Sequence, residues 1–418
     1  MENFDGKRYF VYGDGLSGRA AQKAIKRRGG KVKVYADECG RFCLPPEKKY
    51  DAAVISPGIR PSHAVYAYCK ERGIRTMGEA ELGFDIADCD IVGVTGTNGK
   101  TTTVRLLADM LGGTACGNIG FPLTAAIDSA RRKTPLVAEL SSFQLHNAKV
   151  APKVAVITSA AADHLDWHGS EADYYASKCN IANNMQGGYL VIGADVPIKA
   201  LDALNTRAEI VRCAIDTPVD GAYTYDGYFC FAGSRVCPVD YLRLQGEHNI
   251  KNALCAVAAA KCMGAEGGNI LGALCSATSA PHRIEYIGEA AGKRWIDDSK
   301  GTNIAACLAA IDTVSGSICL IAGGRNKGLD FTELFKALPE RVVEVVAMGE
   351  SAQKLRDEAI GICGAKITVV DGLCQAVKAA AASSAQTVLL SPACASFDEF
   401  KSYAARGERF AVEVKALI

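Results

Sequence analysis

Short apolar runs separated by glycine-rich or polar turns recur along the chain, and segments with apolar residues at helical spacing follow most of them. Arg8 to Tyr12 reads as a strand, Gly13 to Gly18 as a turn, the segment to about Arg28 as an amphipathic helix, and Lys31 to Tyr35 as a second strand closing at Asp37. This is a βαβ unit. Ala52 to Ile55 and Ile74 to Met77 read as further strands, flanking a helix with Val65, Tyr68 and Cys69 on one face. A boundary is expected near Cys89.

A second unit begins with the apolar run Ile91 to Val94, a glycine-rich turn, and a helix whose apolar positions Val104, Leu107, Ala108 and Leu111 lie on one face. Leu136 to Ala138 and Val154 to Ile157 read as buried strands. Between about Ala222 and Phe231, tyrosine-rich alternation around Asp226-Gly227 predicts a hairpin. From Arg294 onward strand and helix patterns alternate again, with strands at Arg294 to Ile296, Ile318 to Ile321, Val343 to Met348, Ile367 to Val370 and Val388 to Leu390. The grammar is α/β throughout, and the expected domains are 1–89, 90–280 and 281–418.

Composition narrows the function. Lys plus Arg number 47 against 46 Asp plus Glu, so no global basic field gathers nucleic acid or anionic membrane, and an anionic ligand must be held locally. No stretch approaches a membrane span, and Met1 to Phe10 lacks the pattern of an export signal. The 17 cysteines include no C-x-x-C pair and scatter through apparent core elements, which suits buried reduced thiols and a reducing cytoplasm.

The chemistry sits in the turns. Gly96-Thr97-Asn98-Gly99-Lys100-Thr101-Thr102 follows a strand and opens a helix, so backbone N–H groups and the helix's positive end can face phosphate oxygens. Lys100 would reach the outer phosphates and Thr101 would ligate magnesium, although Val94 occupies the first glycine position of the general pattern. Glu139, immediately after the strand Leu136 to Ala138, is the best further oxygen ligand. Asp163-His164-Leu165-Asp166-Trp167-His168 packs ionisable groups into one loop, with Lys178 downstream on a helix; an ordinary lysine there would repel a metal and reads as surface.

Gly13-x-Gly15-x-x-Gly18 with Asp37 satisfies a dinucleotide fingerprint, which leaves an NAD-dependent enzyme open. Asn252 can read a base edge and Arg283 can pair with phosphate, and capping or hinge packing explains either equally well. Three later loops, Asp298 to Asn303, Gly323 to Gly328 and Ser391 to Ser396, all follow strands, where open α/β sheets bind ligands. Their lysines and hydroxyls suit a small dicarboxylate.

GTNGKTT, ELSSFQL, DHLDWHG with a downstream lysine, EHNIKNA, PHRIE, DDSKGTN and SPACASFDEF, in that order, resemble the Mur ligases. The resemblance implies a Rossmann-like N-terminal domain, a P-loop ATP-binding central domain with a parallel sheet and a small antiparallel piece, and a Rossmann-like C-terminal domain. It also implies a monomer using ATP and two Mg2+ ions to join UDP-N-acetylmuramoyl-L-alanine to D-glutamate. Lys100 would cradle the terminal phosphates, Thr101 and Glu139 would hold one magnesium, and His164 with a carbamoylated Lys178 the other. Asn252 and Arg283 would address the adenine nucleotide. Leu16, Ser17, Ser56, Pro57, Gly58, Asn118 and Ser142 would face the UDP-muramoyl substrate. D-glutamate would meet Thr302, Lys327, Ser396 and Phe397, with Lys300 nearby. The chain departs from the family pattern at Ser159-Ala160-Ala161, where Asn-x-Ser/Thr is usual, and at Asn326, Phe397 and Tyr403. Folylpolyglutamate synthase is the nearest alternative within this chemistry, and a nucleotide-switched binding protein the alternative outside it.

Overall fold

The computed structural model describes residues 4–37, 43, 49–129, 134–278, 281–326 and 328–417. Strands Lys31–Tyr35, Arg8–Tyr12, Ala52–Ile55 and Arg75–Met77 lie in that order in a parallel four-stranded sheet. The first crossover moves outward to one side of Arg8–Tyr12 and the next returns to the other side. The carboxyl ends of Arg8–Tyr12 and Ala52–Ile55 therefore adjoin at a switch point, the place where open α/β sheets receive ligands.

The central sheet has nine strands, in the order Ser234–Pro238, Tyr228–Phe231, Gly221–Tyr225, Glu209–Ala214, Tyr189–Asp195, Val154–Ser159, Ile91–Thr95, Leu136–Glu139 and Thr114–Gly117. Pairing is parallel from Gly221–Tyr225 through Thr114–Gly117, and the first two strands are added antiparallel. The Asp226-Gly227 hairpin forms as expected, with Asp226 and Gly227 both at positive φ. Ile91–Thr95 is buried along its whole length, which explains why it reads as an unbroken apolar run and not as an alternation. Its helix, Lys100–Leu111, buries more than the one predicted stripe. Leu106 and Met110 are buried beside Val104, Leu107 and Ala108, because helix Gly267–Ser276 covers the side away from the sheet, while Leu111 is only half-buried. Full burial of a Val, Leu or Met side chain there contributes about 1.5–3 kcal/mol.

The third sheet has six strands, in the order Glu285–Ala290, Lys293–Asp297, Thr387–Leu390, Ile318–Gly323, Val342–Met348 and Lys366–Val370, with only the first pair antiparallel. Lys293–Asp297, Thr387–Leu390 and Ile318–Gly323 are neighbours, so the three loops that follow them leave from one edge. The described chain groups into two compact units. Met1–Ala160, Gly169–Arg243 and Asn249–Ala277 form the first, with the four- and nine-stranded sheets; Ala161–His168, Leu244–His248 and Thr278–Ile418 form the second. Among the described residues every cysteine is a free thiol, and no helix is long and apolar enough to cross a membrane.

Candidate active site

Because Ile91–Thr95 lies between Val154–Ser159 and Leu136–Glu139, the glycine turn that leaves it is flanked by both neighbours' carboxyl ends. On one side, Asn98 N donates to Ser159 Oγ at 2.9 Å, while Thr158 Oγ1 and Ser159 Oγ donate to Asn98 O at 2.5 and 3.1 Å. On the other, Thr101 Oγ1 donates to Glu139 Oε2 at 2.7 Å, and Asn118 Nδ2 donates to Glu139 Oε1 at 2.9 Å. Glu139 is the last residue of its strand and not the first beyond it, and it is buried. Two of the turn's glycines have no freedom to be anything else. A Cβ on Gly96 (φ +149°) would lie 2.0 Å from Thr158 Oγ1, and one on Gly99 (φ +84°) 2.0 Å from Asn252 Oδ1.

Lys100 Nζ donates to Gly96 O at 2.7 Å and Thr97 O at 2.9 Å, so its ammonium lies over the turn that its own helix follows. Thr102 is buried in the first helical turn, and Asn252 packs against Gly99 while its carbonyl accepts from Thr103 Oγ1 at 3.3 Å. The adenine-side candidate thus lies beside the phosphate loop.

Lys178 is not on a surface face. It is 2% exposed, with Nζ 4.2 Å from the centre of the Tyr174 ring, and Tyr174 Oη shares a hydrogen bond of 3.1 Å with Thr97 Oγ1. The helix Glu171–Cys179 sets this spacing, since residues four apart share a face. Asp163 and His164 belong to the other compact unit. There His164 N donates to Asp163 Oδ1 at 2.8 Å, and Asn303 Nδ2 stands 3.5 Å from Asp163 Oδ2.

At the N-terminal switch point, Leu16 opens helix Leu16–Arg27 and is exposed, with Ser17 beside it. Ser56 Oγ lies 3.5 Å from Gly13 O, which brings Ser56-Pro57-Gly58 to the glycine turn. Asp37 already has protein partners: Tyr12 Oη donates to it at 2.5 Å and His63 Nε2 lies 3.0 Å away. Asn118 reaches Glu139 from the end of the neighbouring strand, its N donating to Glu139 O at 2.8 Å, and Ser142, three residues past Glu139, is buried at the start of a short helix capped by Ser141 and Gln144.

In the second unit the three loops knit together. Ser391 Oγ donates to Asp298 Oδ2 at 2.7 Å, Ala393 N to Gly301 O at 2.9 Å, and Arg325 and Ala395 pair through their backbones. Burial pushes Asp298 up to about 7, against the opposing pull of the Ser391 hydrogen bond and Arg283. Ser396 is buried and Phe397 exposed, and Lys300 Nζ lies 5.3 Å from the Tyr403 ring centre. Thr302 follows Lys300, whose carbonyl accepts its N–H at 2.9 Å. Lys327 lies outside the described residues. Arg283 sits between two residues at positive φ, His282 (φ +60°) and Ile284 (φ +48°), and for a β-branched residue that conformation is strained. His282 Nδ1 contacts Asp297 Oδ2 at 2.7 Å.

Two family profiles fit this arrangement: the Mur ligase middle domain over residues 94–260 and the Mur ligase glutamate ligase domain over residues 282–394. The chain is 36% identical to the UDP-N-acetylmuramoylalanine–D-glutamate ligase of Latilactobacillus sakei, over 98% of this chain and 97% of that one. It belongs to the Mur ligase family. A second relative of the same name, from Enterococcus faecalis, is 37% identical over all of this chain and 98% of its own length. The UDP-N-acetylmuramate-alanine ligase of Thermotoga maritima shares the fold, at a TM-score of 0.63 and 20% identity over 98% of this chain and 99% of that one. The folylpolyglutamate synthase of Mycobacterium tuberculosis matches with a TM-score of 0.59 and 18% identity, covering 79% of this chain and 92% of that one. As a Mur ligase the chain is an ATP-dependent enzyme of peptidoglycan precursor synthesis.

Four residues of this Mur ligase escape the motif reading. Thr158 and Ser159 hold the phosphate loop from the segment where the chain departs from the family pattern, and hydroxyls at the end of a strand beside such a loop are the signal. Tyr174 is marked by its position four residues before Lys178. Arg406 carries no sequence signal, because an arginine on an amphipathic helix ordinarily lies in solvent.

Proposed function

We propose that this Mur ligase joins D-glutamate to UDP-N-acetylmuramoyl-L-alanine, with residues 1–89 receiving the UDP group, 90–280 the ATP and 281–418 the amino acid, as a monomer in the cytoplasm. The observation that carries the reading is the Thr101–Glu139–Asn118 cluster beside the phosphate loop, together with full-length likeness to ligases of that name.

The substrate carboxylate attacks the γ-phosphorus of ATP, the bond to ADP breaks, and an acyl phosphate forms. The amine of D-glutamate then attacks the acyl carbon, loses its proton, and expels phosphate as the amide forms. Two anions must meet in the first step, so charge compensation matters more than a covalent nucleophile. Lys100 supplies one positive charge by leaving the Gly96 and Thr97 carbonyls for the terminal phosphates.

Thr101 and Glu139 offer two buried oxygen donors 2.7 Å apart, a set that fits a hard cation such as magnesium. When bound, that ion neutralises phosphate charge. Asn118 orients the Glu139 carboxylate from its other oxygen. Resemblance assigns a second magnesium to His164 and a carbamoylated Lys178; carbamoylation would turn the buried cation into an oxygen ligand. Leu16, Ser17 and Ser56-Pro57-Gly58 would hold the UDP group, with Ser142 facing the muramoyl portion. Asn252 and Arg283 would address ATP, and Thr302, Lys327, Ser396 and Phe397 the amino acid, beside Lys300.

The test is ADP release with UDP-N-acetylmuramoyl-L-alanine present and amino acids offered in turn. Release is expected to require D-glutamate. Release that ignores the amino acid, or that needs a folate acceptor, would overturn the reading.

A further inference from the structure

Arg406 lies on helix Tyr403–Lys415 and is 1% exposed, yet it forms no ion pair among the described residues. Its guanidinium is spread over loop backbone instead. Nε donates to Ser299 Oγ at 2.9 Å, and Nη2 donates to Ser299 O at 2.8 Å and to Cys394 O at 3.1 Å. Ser299 Oγ in turn donates to Tyr403 O at 2.8 Å, closing a ring back to the start of the helix. The remaining nitrogen, Nη1, is fully buried without a hydrogen-bond partner, and a Cβ built on Gly324 would lie 3.2 Å from it. One side chain thereby touches the loops that follow three adjacent strands: Ser299 after Lys293–Asp297, Cys394 after Thr387–Leu390, and Gly324 after Ile318–Gly323.

A buried cation without a carboxylate partner is an expensive way to fill space, and an apolar side chain of similar volume would ordinarily be cheaper. What the guanidinium supplies and an apolar group cannot is a planar fork with donors at fixed angles. Burial lowers Arg406 to about 10, still well above neutrality, so the fork keeps its charge. Asp297 and Asp298 stand near enough to favour that charge, but their carboxylates are engaged elsewhere: Asp298 accepts from Ser391 Oγ, and Asp297 accepts from Ser299 N and contacts His282 Nδ1.

We infer that Arg406 is the positioning residue that sets the mutual geometry of the three loops receiving the amino acid, so that it governs amino-acid affinity without touching the nucleotide. The inference rests on the proposed assignment of those loops to the amino acid. A lysine, having a compact charge, cannot bind the Ser299 and Cys394 acceptors as this fork does, and the loops would relax apart.

Steady-state kinetics of Arg406→Lys tests this. The KM for D-glutamate is expected to rise about tenfold or more, with KM for ATP and the UDP substrate within about twofold of wild type, since small displacements of positioning groups cost that much. A general packing defect would move all three constants or kcat alone. Should the lysine variant fail to fold, Ser299→Ala, which removes one acceptor and keeps the fork, is expected to shift the same constant in the same direction. A wild-type KM for the amino acid in a folded Arg406→Lys enzyme overturns the inference. Wild-type enzyme that ligates only some other amino acid overturns the proposed substrate instead, and the Arg406 comparison then runs on that amino acid.

Discussion

Thr101 donates its hydroxyl to Glu139 at 2.7 Å, joining the first turn of the phosphate-loop helix to the end of the neighbouring strand. Both are buried, so the pair is a preformed two-oxygen edge and not a chance surface contact. Changing Glu139→Gln is expected to lower kcat/KM by about a hundredfold or more, because the amide neither carries the charge nor can accept from both Thr101 and Asn118. A magnesium titration of activity in this variant, run beside its thermal melt, checks the point. Wild-type magnesium dependence would contradict it.

The phosphate loop leaves no room for a methyl group at Gly99, where a Cβ would meet Asn252 Oδ1 at 2.0 Å and the backbone has φ +84°. Gly99→Ala is expected to cost about 1–3 kcal/mol of stability and to weaken ATP binding. Chemical denaturation and nucleotide titration measure the two effects, and an alanine enzyme that melts and binds as wild type would refute the steric account.

Lys178→Ala is expected to abolish turnover while leaving UDP-substrate binding near wild type. Its ammonium sits against Tyr174 on helix Glu171–Cys179, whereas Leu16, Ser17 and Ser56 follow strands of the four-stranded sheet. Calorimetric titration of the UDP substrate separates the two. Near-normal turnover would remove Lys178 from the metal site.

Asp298 gives a pH signature. Its folded value of about 7 lies above the unfolded carboxylate's ~3.9. Folding therefore favours the protonated form, and that contribution is complete below the unfolded value and lost as pH rises through the folded one. Relative to Asp298→Asn, the wild type is expected to lose stability between about pH 4 and about pH 7 and to change little above. Parallel stability curves would contradict the burial of a titrating acid there.

The sequence is legible where burial is symmetric or turn chemistry strict. Ile91 to Val94 and Ile318–Gly323 read as apolar runs because both faces are covered, and Asp226-Gly227 marks its hairpin through the positive φ the turn requires. Thr114–Gly117 has no bulky apolar residue to mark a strand, and the edge strand Glu285–Ala290 alternates too weakly because most of it is only partly buried. At the site, the turn residues announce themselves, but the groups that hold them do not. Thr158 and Tyr174 carry only a weak local mark, a hydroxyl at a strand end and a spacing of four from Lys178, because their partners are set by strand order and helix packing, and Arg406 carries none. Lys178 is the sharpest case, since its residue type alone points to solvent while its helix packs it inside.

The most direct measurement is mass spectrometry of the product formed from ATP, UDP-N-acetylmuramoyl-L-alanine and an equimolar mixture of D- and L-glutamate, one isomer isotopically labelled. The expected result is a single new species, the UDP substrate plus D-glutamate less one water, formed in step with ADP and phosphate. A species carrying the L-isomer or another amino acid, or ADP formed with no linked product, would contradict the proposed ligation.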